Sequence, residues 1–309
     1  MNVRDLLARF DKFLIATHEG LDGDAIGSSL AMGHFLSARG KRVFLFFPDP
    51  LPQKYLALLK NLKIFYQMPK EDSEWVLISL DSADLKRLKI EDQKIFSYVV
   101  NIDHHVTNLN FGDWNVIRSD FSSTGEILAD LLLQEELDAP EIVWDSLYLA
   151  IYADTNGFSF QNTSPRTLKI AAEVLSRASG PEIVTLFFSR TQEELKILAR
   201  VLENMVFEPP IAYSLLESSL NLPEGFDSDY IMNFWKNWLE PQIFLLFKEI
   251  QPHTFKVSMR ARPGFDLTKV AIQFNGGGHP AAAGCTVRGT WPEVKDRLIN
   301  AFRNAISQN

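Results

Sequence analysis

The sequence predicts an α/β protein, with an N-terminal, mostly parallel sheet flanked by helices and a smaller C-terminal α+β domain. Three observations lead there. Short apolar runs alternate with helical patterns through the first half, the texture of parallel strands with helices on both faces. A charged helical stretch then interrupts the alternation, and longer strand patterns follow it. The 309 residues suffice for two domains at about 150 residues each.

Phe13 to Ala16, Val43 to Phe47, Trp75 to Leu80 and Tyr98 to Ile102 read as buried strands, short, rich in β-branched and aromatic residues, and bounded by polar groups. Ala25 to Ala38 is a helix, with Ile26, Leu30, Phe35 and Leu36 at helical spacing and Gly40 as its stop. Thr124 to Leu133 is a second helix, capped from the Ser122–Ser123 pair. Asp145 to Tyr152 is a third, strongly apolar one. Residues 176–205 carry charges at helical spacing, with Gly180–Pro181 punctuating their start and Pro209–Pro210 ending the stretch, so they read as a connector. Beyond it, Asp227 to Trp238 looks helical, Gln242 to Ile250 and Thr254 to Arg260 are strands around a Pro252 turn, and Asp266 to Phe274 is a short helix. Thr290 to Ser307 closes the chain with an amphipathic helix. The expected domains are 1–185 and 209–309, joined by a helical connector over 186–208.

Composition narrows the function. With 31 Lys and Arg against 39 Asp and Glu, the net charge is −8, which argues against coating long nucleic acid with basic surface. A short substrate held by a few local cations remains compatible. The one cysteine, Cys285, excludes an intrachain disulfide and a cysteine-based zinc site. The first 13 residues are broken by charges and lack a signal-peptide core, and the longest apolar run, Leu147 to Ala153, is too short to span a bilayer. A cytoplasmic enzyme is expected, with no membrane partner.

Acids and histidines follow the strands. His18, Asp22 and Asp24 come after the first, Asp81 after the third, and Asp103, His104 and His105 after the fourth. Ligands of parallel sheets bind at the carboxyl ends of the strands. Asp154 ends the apolar helix. Four carboxylates, Asp22, Asp24, Asp81 and Asp154, would repel one another unless balanced, and two divalent ions balance them. Oxygen and imidazole donors without thiolate suit Mn²⁺ or Mg²⁺. Each fragment alone has an ordinary explanation. Asp-Gly-Asp is commonly a turn or a helix cap, here with Asp24 at N-cap, and a triple glycine is commonly a flexible loop. His34 and His253 lack such company and read as surface residues. The metal reading gains weight because several separate segments agree.

Together these segments resemble the DHH phosphoesterase superfamily. The motif is Asp103-His104-His105, accompanied in order by His18-x-x-x-Asp22-Gly-Asp24, Leu80-Asp81-Ser82-Ala83 and Asp154-Thr155. Val257-Ser-Met-Arg260 and Gly276-Gly277-Gly278-His279-Pro-Ala-Ala-Ala-Gly284 are similar to the DHHA1 type of second domain. The resemblance covers essentially the whole chain. It implies one metal at His18, Asp22 and Asp81 and another at Asp24, Asp81, His104 and Asp154, with Asp81 bridging. It makes Asp103 an acceptor that orients a histidine, and places His105 at the substrate phosphate. Arg260 and His279 would grip phosphate oxygens, with Gly276, Gly277 and Gly278 allowing close backbone approach, in a cleft between the domains. Three departures stand out: Asn156 precedes Gly157 where the family has Asp-Thr-Gly, Ala261 follows Arg260 where the family has serine, and Leu21 precedes Asp22-Gly-Asp24 where the family has proline or a similar residue. Asn tolerates left-handed backbone, so the first departure should leave the site intact.

Within the superfamily, the triple-glycine-histidine segment points away from the inorganic pyrophosphatases. The absence of a sensor segment points away from the membrane-bound cyclic-dinucleotide enzymes, and the length away from the large DNA exonucleases. The nanoRNase type remains. The resemblance then implies an exonuclease that hydrolyses short oligoribonucleotides, and 3′-phosphoadenosine 5′-phosphate (pAp), using water activated by two Mn²⁺ ions, with Mg²⁺ or Co²⁺ as substitutes. The runner-up is a phosphodiesterase for pApA or cyclic di-AMP, and from another class, a nucleotide-binding regulator without turnover. Arg260, Arg262, Arg288 and Lys269 are the expected local cations, whereas Arg166 and Arg190 read as solvated helix charges. The Trp235–Trp238 segment reads as core sooner than as a dimer face, although a homodimer is compatible with it.

Overall fold

The computed structural model describes residues 2–67, 74–90, 93–217, 220, 222, 229–235 and 237–307. Its internal contacts divide the chain into two units, Met1–Ser189 and Arg190–Asn309.

The first unit opens with α1 (Val3–Arg9), β1 (Lys12–Ala16), α2 (Gly23–Ser37), β2 (Arg42–Phe46), β3 (Lys63–Phe65), β4 (Val76–Leu80), β5 (Tyr98–Asp103) and β6 (Trp114–Ile117). Four helices follow: α3 (Thr124–Gln134), α4 (Glu141–Asp154), α5 (Pro165–Leu175) and α6 (Thr185–Phe188). The six strands pair in the order β3-β2-β1-β4-β5-β6, all parallel. The α/β expectation therefore holds. β4 is buried at every residue, as a central strand covered on both faces must be. The edge strands β3 and β6 are only partly buried and carry no long apolar run, so they do not stand out in the sequence. Register sets Leu80 beside Ile102 and Ala16 beside Ser79, which brings the residues after β1, β4 and β5 to one sheet edge.

α2 and α4 pack closely because their contact face is small. A Cβ on Gly27 would lie 2.6 Å from the Ser146 carbonyl oxygen. The α2 N-cap is Asp22, whose Oδ1 accepts from the Ala25 N–H (2.9 Å), and not Asp24. Ser123 caps α3 as its sequence implied. His34 departs from its surface reading. It is buried, with Nε2 2.7 Å from the Leu58 carbonyl oxygen, because α2 is covered on nearly all sides. Arg166 also departs: it bonds Glu126 and Asp120 and stacks 3.6 Å over the Phe121 ring.

The second unit comprises α7 (Gln192–Glu203), β7 (Val206–Glu208), β8 (Ile211–Leu216), α8 (Asp229–Trp235), β9 (Ile243–Gln251), β10 (Thr254–Ala261), α9 (Thr268–Ala271), β11 (Gly277–His279), β12 (Ala282–Arg288) and α10 (Trp291–Ser307). For the helix expected over Asp227 to Trp238, Asp227, Ser228 and Lys236 lie outside the described residues. The sheet order is β11-β12-β10-β9-β8-β7, parallel only between β8 and β9. One face carries Val257, Met259 and Cys285 into a core with α10; the other carries Phe244 and Leu246 against Trp235, Ile197 and Val201. The segment read as a connector thus contributes α7 to this second core. Trp235 is core, as its sequence context indicated. Arg190 lies 4.5 Å from the Tyr230 ring centroid, so it is not a purely solvated charge.

Candidate metal centre

His18, Asp81 and the Asp103–His105 segment leave the sheet at the ends of β1, β4 and β5, while Asp22 and Asp24 begin α2 and Asp154 ends α4. Three groups of these side chains offer donor atoms mutually within 4.8 Å: His18, Asp22 and Asp81; Asp24, His104 and Asp154; and Asp81, His104 and His105. Asp81 belongs to two of the three. Its Oδ2 is 3.3 Å from His18 Nε2, and its Oδ1 is 3.5 Å from His104 Nε2 and accepts from the Thr124 hydroxyl at 3.2 Å. His18 Nε2 also lies 3.6 Å from Asp22 Oδ2, and His104 Nε2 lies 3.9 Å from Asp154 Oδ2. Asp81 adopts left-handed backbone, φ 57°, a strained choice for aspartate that places its carboxylate between the two imidazoles.

Asp24 is buried and held from a distant segment. Its oxygens accept from the Thr124 N–H (2.7 Å), the Gly125 N–H (2.9 Å) and the Ser28 hydroxyl (2.9 Å). The first amides of α3 thereby direct the positive end of that helix at this carboxylate. Asn162 fixes Asp154, its amide donating to the Asp154 carbonyl (3.1 Å) and carboxylate (3.2 Å). After α4, Asn156 and Gly157 are both left-handed, at φ 46° and 65°, so asparagine accommodates the departure from Asp-Thr-Gly. Asp103 is fully buried. Its Oδ1 accepts from the His104 N–H (2.8 Å) and His105 Nδ1 (2.7 Å), and its Oδ2 from the Asn108 amide (2.6 Å).

The charge balance is unfavourable without cations. Burial, then Asp81 and Asp154, push Asp24 well above the usual carboxylate range. Burial, with Asp22 and Asp81, pushes Asp154 up to about 7. Burial would lower His18, but hydrogen bonding and charge from Asp22 and Asp81 outweigh it and push it up to about 11. Burial would raise Asp81, yet His104 and His18 hold it well below the usual range.

The donor set fits divalent ions. His18 Nδ1 lies 2.8 Å from the Glu19 carbonyl oxygen, which can only accept, so Nδ1 carries the hydrogen. In a neutral imidazole, Nε2 then turns a lone pair toward two carboxylates. That contact is repulsive unless a proton or a metal ion joins them. Separations of 3.3–3.6 Å exceed good hydrogen bonds yet match donors about 2.1 Å from one shared ion. Thr124, Gly125, Asn162 and Asn108 join the site without a motif to announce them; the Ser122–Ser123 cap signal marked only where α3 begins.

In the second unit, β11 converts the expected glycine loop into an edge strand. Gly276 and Gly278 are required by the hairpin itself: added Cβ atoms would meet Cys285 Cβ at 2.6 Å and the Ala282 carbonyl oxygen at 2.5 Å. Gly277 faces open space. Register pairs Arg260 with Ala282 and Ala282 with His279. Directly paired residues share a sheet face, so these three form a row with the small alanine at its centre. Ser258, Gly284 and Gly277 form the adjacent row on that face, so Ser258 presents a hydroxyl two residues before Arg260. Arg262 donates to the Pro241 (2.9 Å) and Trp238 (2.6 Å) carbonyls and is engaged inside its own unit.

The sequence matches the N-terminal domain of the DHH family over residues 12–151 and the DHHA1 domain over residues 227–308. A relative from Thermus thermophilus named bifunctional oligoribonuclease and PAP phosphatase NrnA is 30% identical, covering 95% of this chain and 90% of its own. The crystal structure of an exopolyphosphatase-related protein from Bacteroides fragilis superposes with a TM-score of 0.85 at 24% identity, over 99% of this chain and 94% of that one. RecJ from Thermus thermophilus in complex with Mn²⁺ shares the fold at a TM-score of 0.57 and 15% identity, over 97% of this chain and 54% of its own. With both domains matched in order and a relative 30% identical over 95% of this chain, the protein belongs to the DHH family of phosphoesterases that carry a DHHA1 domain.

Proposed function

We propose that this protein is an oligoribonuclease that trims short RNA from an end to mononucleotides and also removes a phosphate from pAp. The observation that carries the reading is Asp81, whose two oxygens face His18 and His104 inside a cluster of four carboxylates. The name of the Thermus relative supplies the substrate class.

His18, Asp22 and Asp81 would hold one divalent ion, and Asp24, Asp81, His104 and Asp154 a second, with Mn²⁺ the ion we favour. When bound, such ions supply positive charge at the phosphate and make water acidic enough to act as nucleophile near neutral pH. The chain's own residues do the rest. Asp103 takes the Nδ1 hydrogen of His105, so Nε2 is the ring atom left to hold a proton for the leaving oxygen. Arg260 and His279 bind phosphate oxygens, and Ala282 between them leaves room for the group they grip. Gly277 lets backbone approach the ligand.

The test is product chromatography with added Mn²⁺. Substrates are a 5′-phosphorylated RNA dinucleotide, a 5-mer, a 24-mer, pAp and cyclic di-AMP, with wild type beside Asp81→Ala. Mononucleotides from the short RNAs and AMP from pAp are expected, with at least about 10²–10³-fold less from the variant. Cleavage of cyclic di-AMP alone would replace the substrate assignment and leave the metal site standing. No cleavage, or a variant equal to wild type, would end the hydrolase reading.

A further inference from the structure

We propose that Asn108 is a positioning residue for His105 and acts through Asp103. The proposal deepens the reading above, since it rests on His105 acting at the leaving group. The Asn108 carboxamide joins three segments. Its Nδ2 donates to Asp103 Oδ2 (2.6 Å) and to the Ser82 carbonyl (3.0 Å), next to Asp81. Its Oδ1 accepts from the Asn110 N–H (2.8 Å) and from Asn101 Nδ2 (2.9 Å) on β5. The amide orientation is not interchangeable. The Asn110 N–H can only donate, and the Asp103 carboxylate and Ser82 carbonyl can only accept, so the nitrogen must face Asp103.

This arrangement has a consequence for the histidine. A carboxylate in a buried site can rotate and share its two oxygens among the donors around it. Asn108 occupies Oδ2, which leaves Oδ1 for the His104 N–H and His105 Nδ1. The tautomer of His105 and its ring plane are thereby set, with Nε2 left outward. The Asn108 N–H further closes the loop on the His105 carbonyl at 3.2 Å, so the ring and its support move as one unit. Asparagine is suited to the position because only a side-chain amide of this length donates to Asp103 and Ser82 while accepting from Asn101 and Asn110. Aspartate has the same shape and lacks the donors.

The experiment uses the full chain with Mn²⁺ and the RNA dinucleotide, comparing wild type, Asn108→Ala, Asn108→Asp, Asp103→Asn and the exchanged pair Asp103→Asn/Asn108→Asp. Metal content, melting temperature, kcat and KM are recorded for each. The His105 tautomer is read separately by long-range ¹H–¹⁵N correlation on the metal-free protein. Both Asn108 variants should lose about 10–100-fold in kcat, with KM within about threefold and metal content unchanged. Their His105 should gain the Nε2–H tautomer at the expense of Nδ1–H. The exchanged pair restores a donor facing an acceptor, so its kcat should exceed that of Asn108→Asp alone, a coupling between the two sites. Asn108→Ala adds no like charge and keeps the test readable if Asn108→Asp does not fold. Wild-type kcat in the folded variants, or a loss that only follows lost folded fraction or lost metal, would overturn the proposal. A wild type without turnover whose His105 tautomer still shifts in the variants would sink the RNA-hydrolysis reading and leave the positioning intact.

Discussion

At the scale of single residues, the centre is governed by charges that cannot all coexist without cations. Burial and the neighbouring carboxylates push Asp154 up to about 7 from an ordinary 3.8, and Asp22 and Asp81 push His18 up to about 11 from 6.5. Both values are raised by folding, so each contribution is fully present below the unfolded value and is lost as pH rises through the folded one. The melting temperature of chelator-treated protein should therefore fall from about pH 4 through pH 8 and beyond. Saturating Mn²⁺ should remove most of that fall, because the ions take the place of the protons. A metal-free protein whose melting is flat across this range would contradict the charge balance. Cys285 is shifted in the same direction. Burial pushes its thiol up to about 12, so it should stay unreactive toward a thiol reagent at pH 8 until the protein unfolds. Rapid labelling of native protein would show that the β12 strand opens readily.

At the scale of elements, close approach between helices sets the geometry of the carboxylates. A Cβ on Gly125 would strike the Ala150 side chain and come within 3.3 Å of Asp24 Oδ1. Gly125→Ala should cost about 1–3 kcal/mol in chemical denaturation and weaken metal binding, since the α3 amides would be pushed from Asp24. Gly27→Ala should cost a similar amount by forcing α2 from α4. It should weaken metal binding as well, because α2 carries Asp24 and α4 ends at Asp154. In the second unit, Ala282→Leu should fill the gap between Arg260 and His279. KM for the RNA dinucleotide should rise at least about tenfold while melting changes little, because the residue sits on the half-buried face. An unchanged KM would remove this face from substrate binding.

At the scale of the whole molecule, a net charge of −8 limits how the protein can hold RNA. The 31 Lys and Arg are outnumbered by 39 Asp and Glu, and Arg262 and Arg166 are engaged within their own units. Activity on short RNA should thus depend weakly on salt, with a log–log slope of magnitude below about 3, and lengthening RNA from 5 to 24 nucleotides should not raise kcat/KM. A steep slope, or a preference for the 24-mer, would indicate a basic track along the protein. Among the described residues no helix is long and apolar enough to cross a membrane.

Much of this was legible before the structure. Apolar runs of four to six residues marked β1, β2, β4 and β5, because strands buried on both faces leave no polar alternation to confuse them. Acids and histidines placed just after those runs had to reach one sheet edge, which is why His18, Asp81 and His104 could be grouped from sequence alone. Strands β3 and β6 carry no such signal, being short, partly buried and at the edge, and α7 reads as a connector in the sequence because its charged face hides the apolar stripe that packs on β8. Local periodicity reports burial and direction; it says nothing of which distant atoms finally face each other. Only the tertiary structure buried His34, turned Asp81 into left-handed backbone between two imidazoles, carried the α3 amides across 100 residues to Asp24, and aligned Arg260 with His279 across Ala282. Those outcomes depend on strand order and helix packing, where one contact is set by the sum of many others.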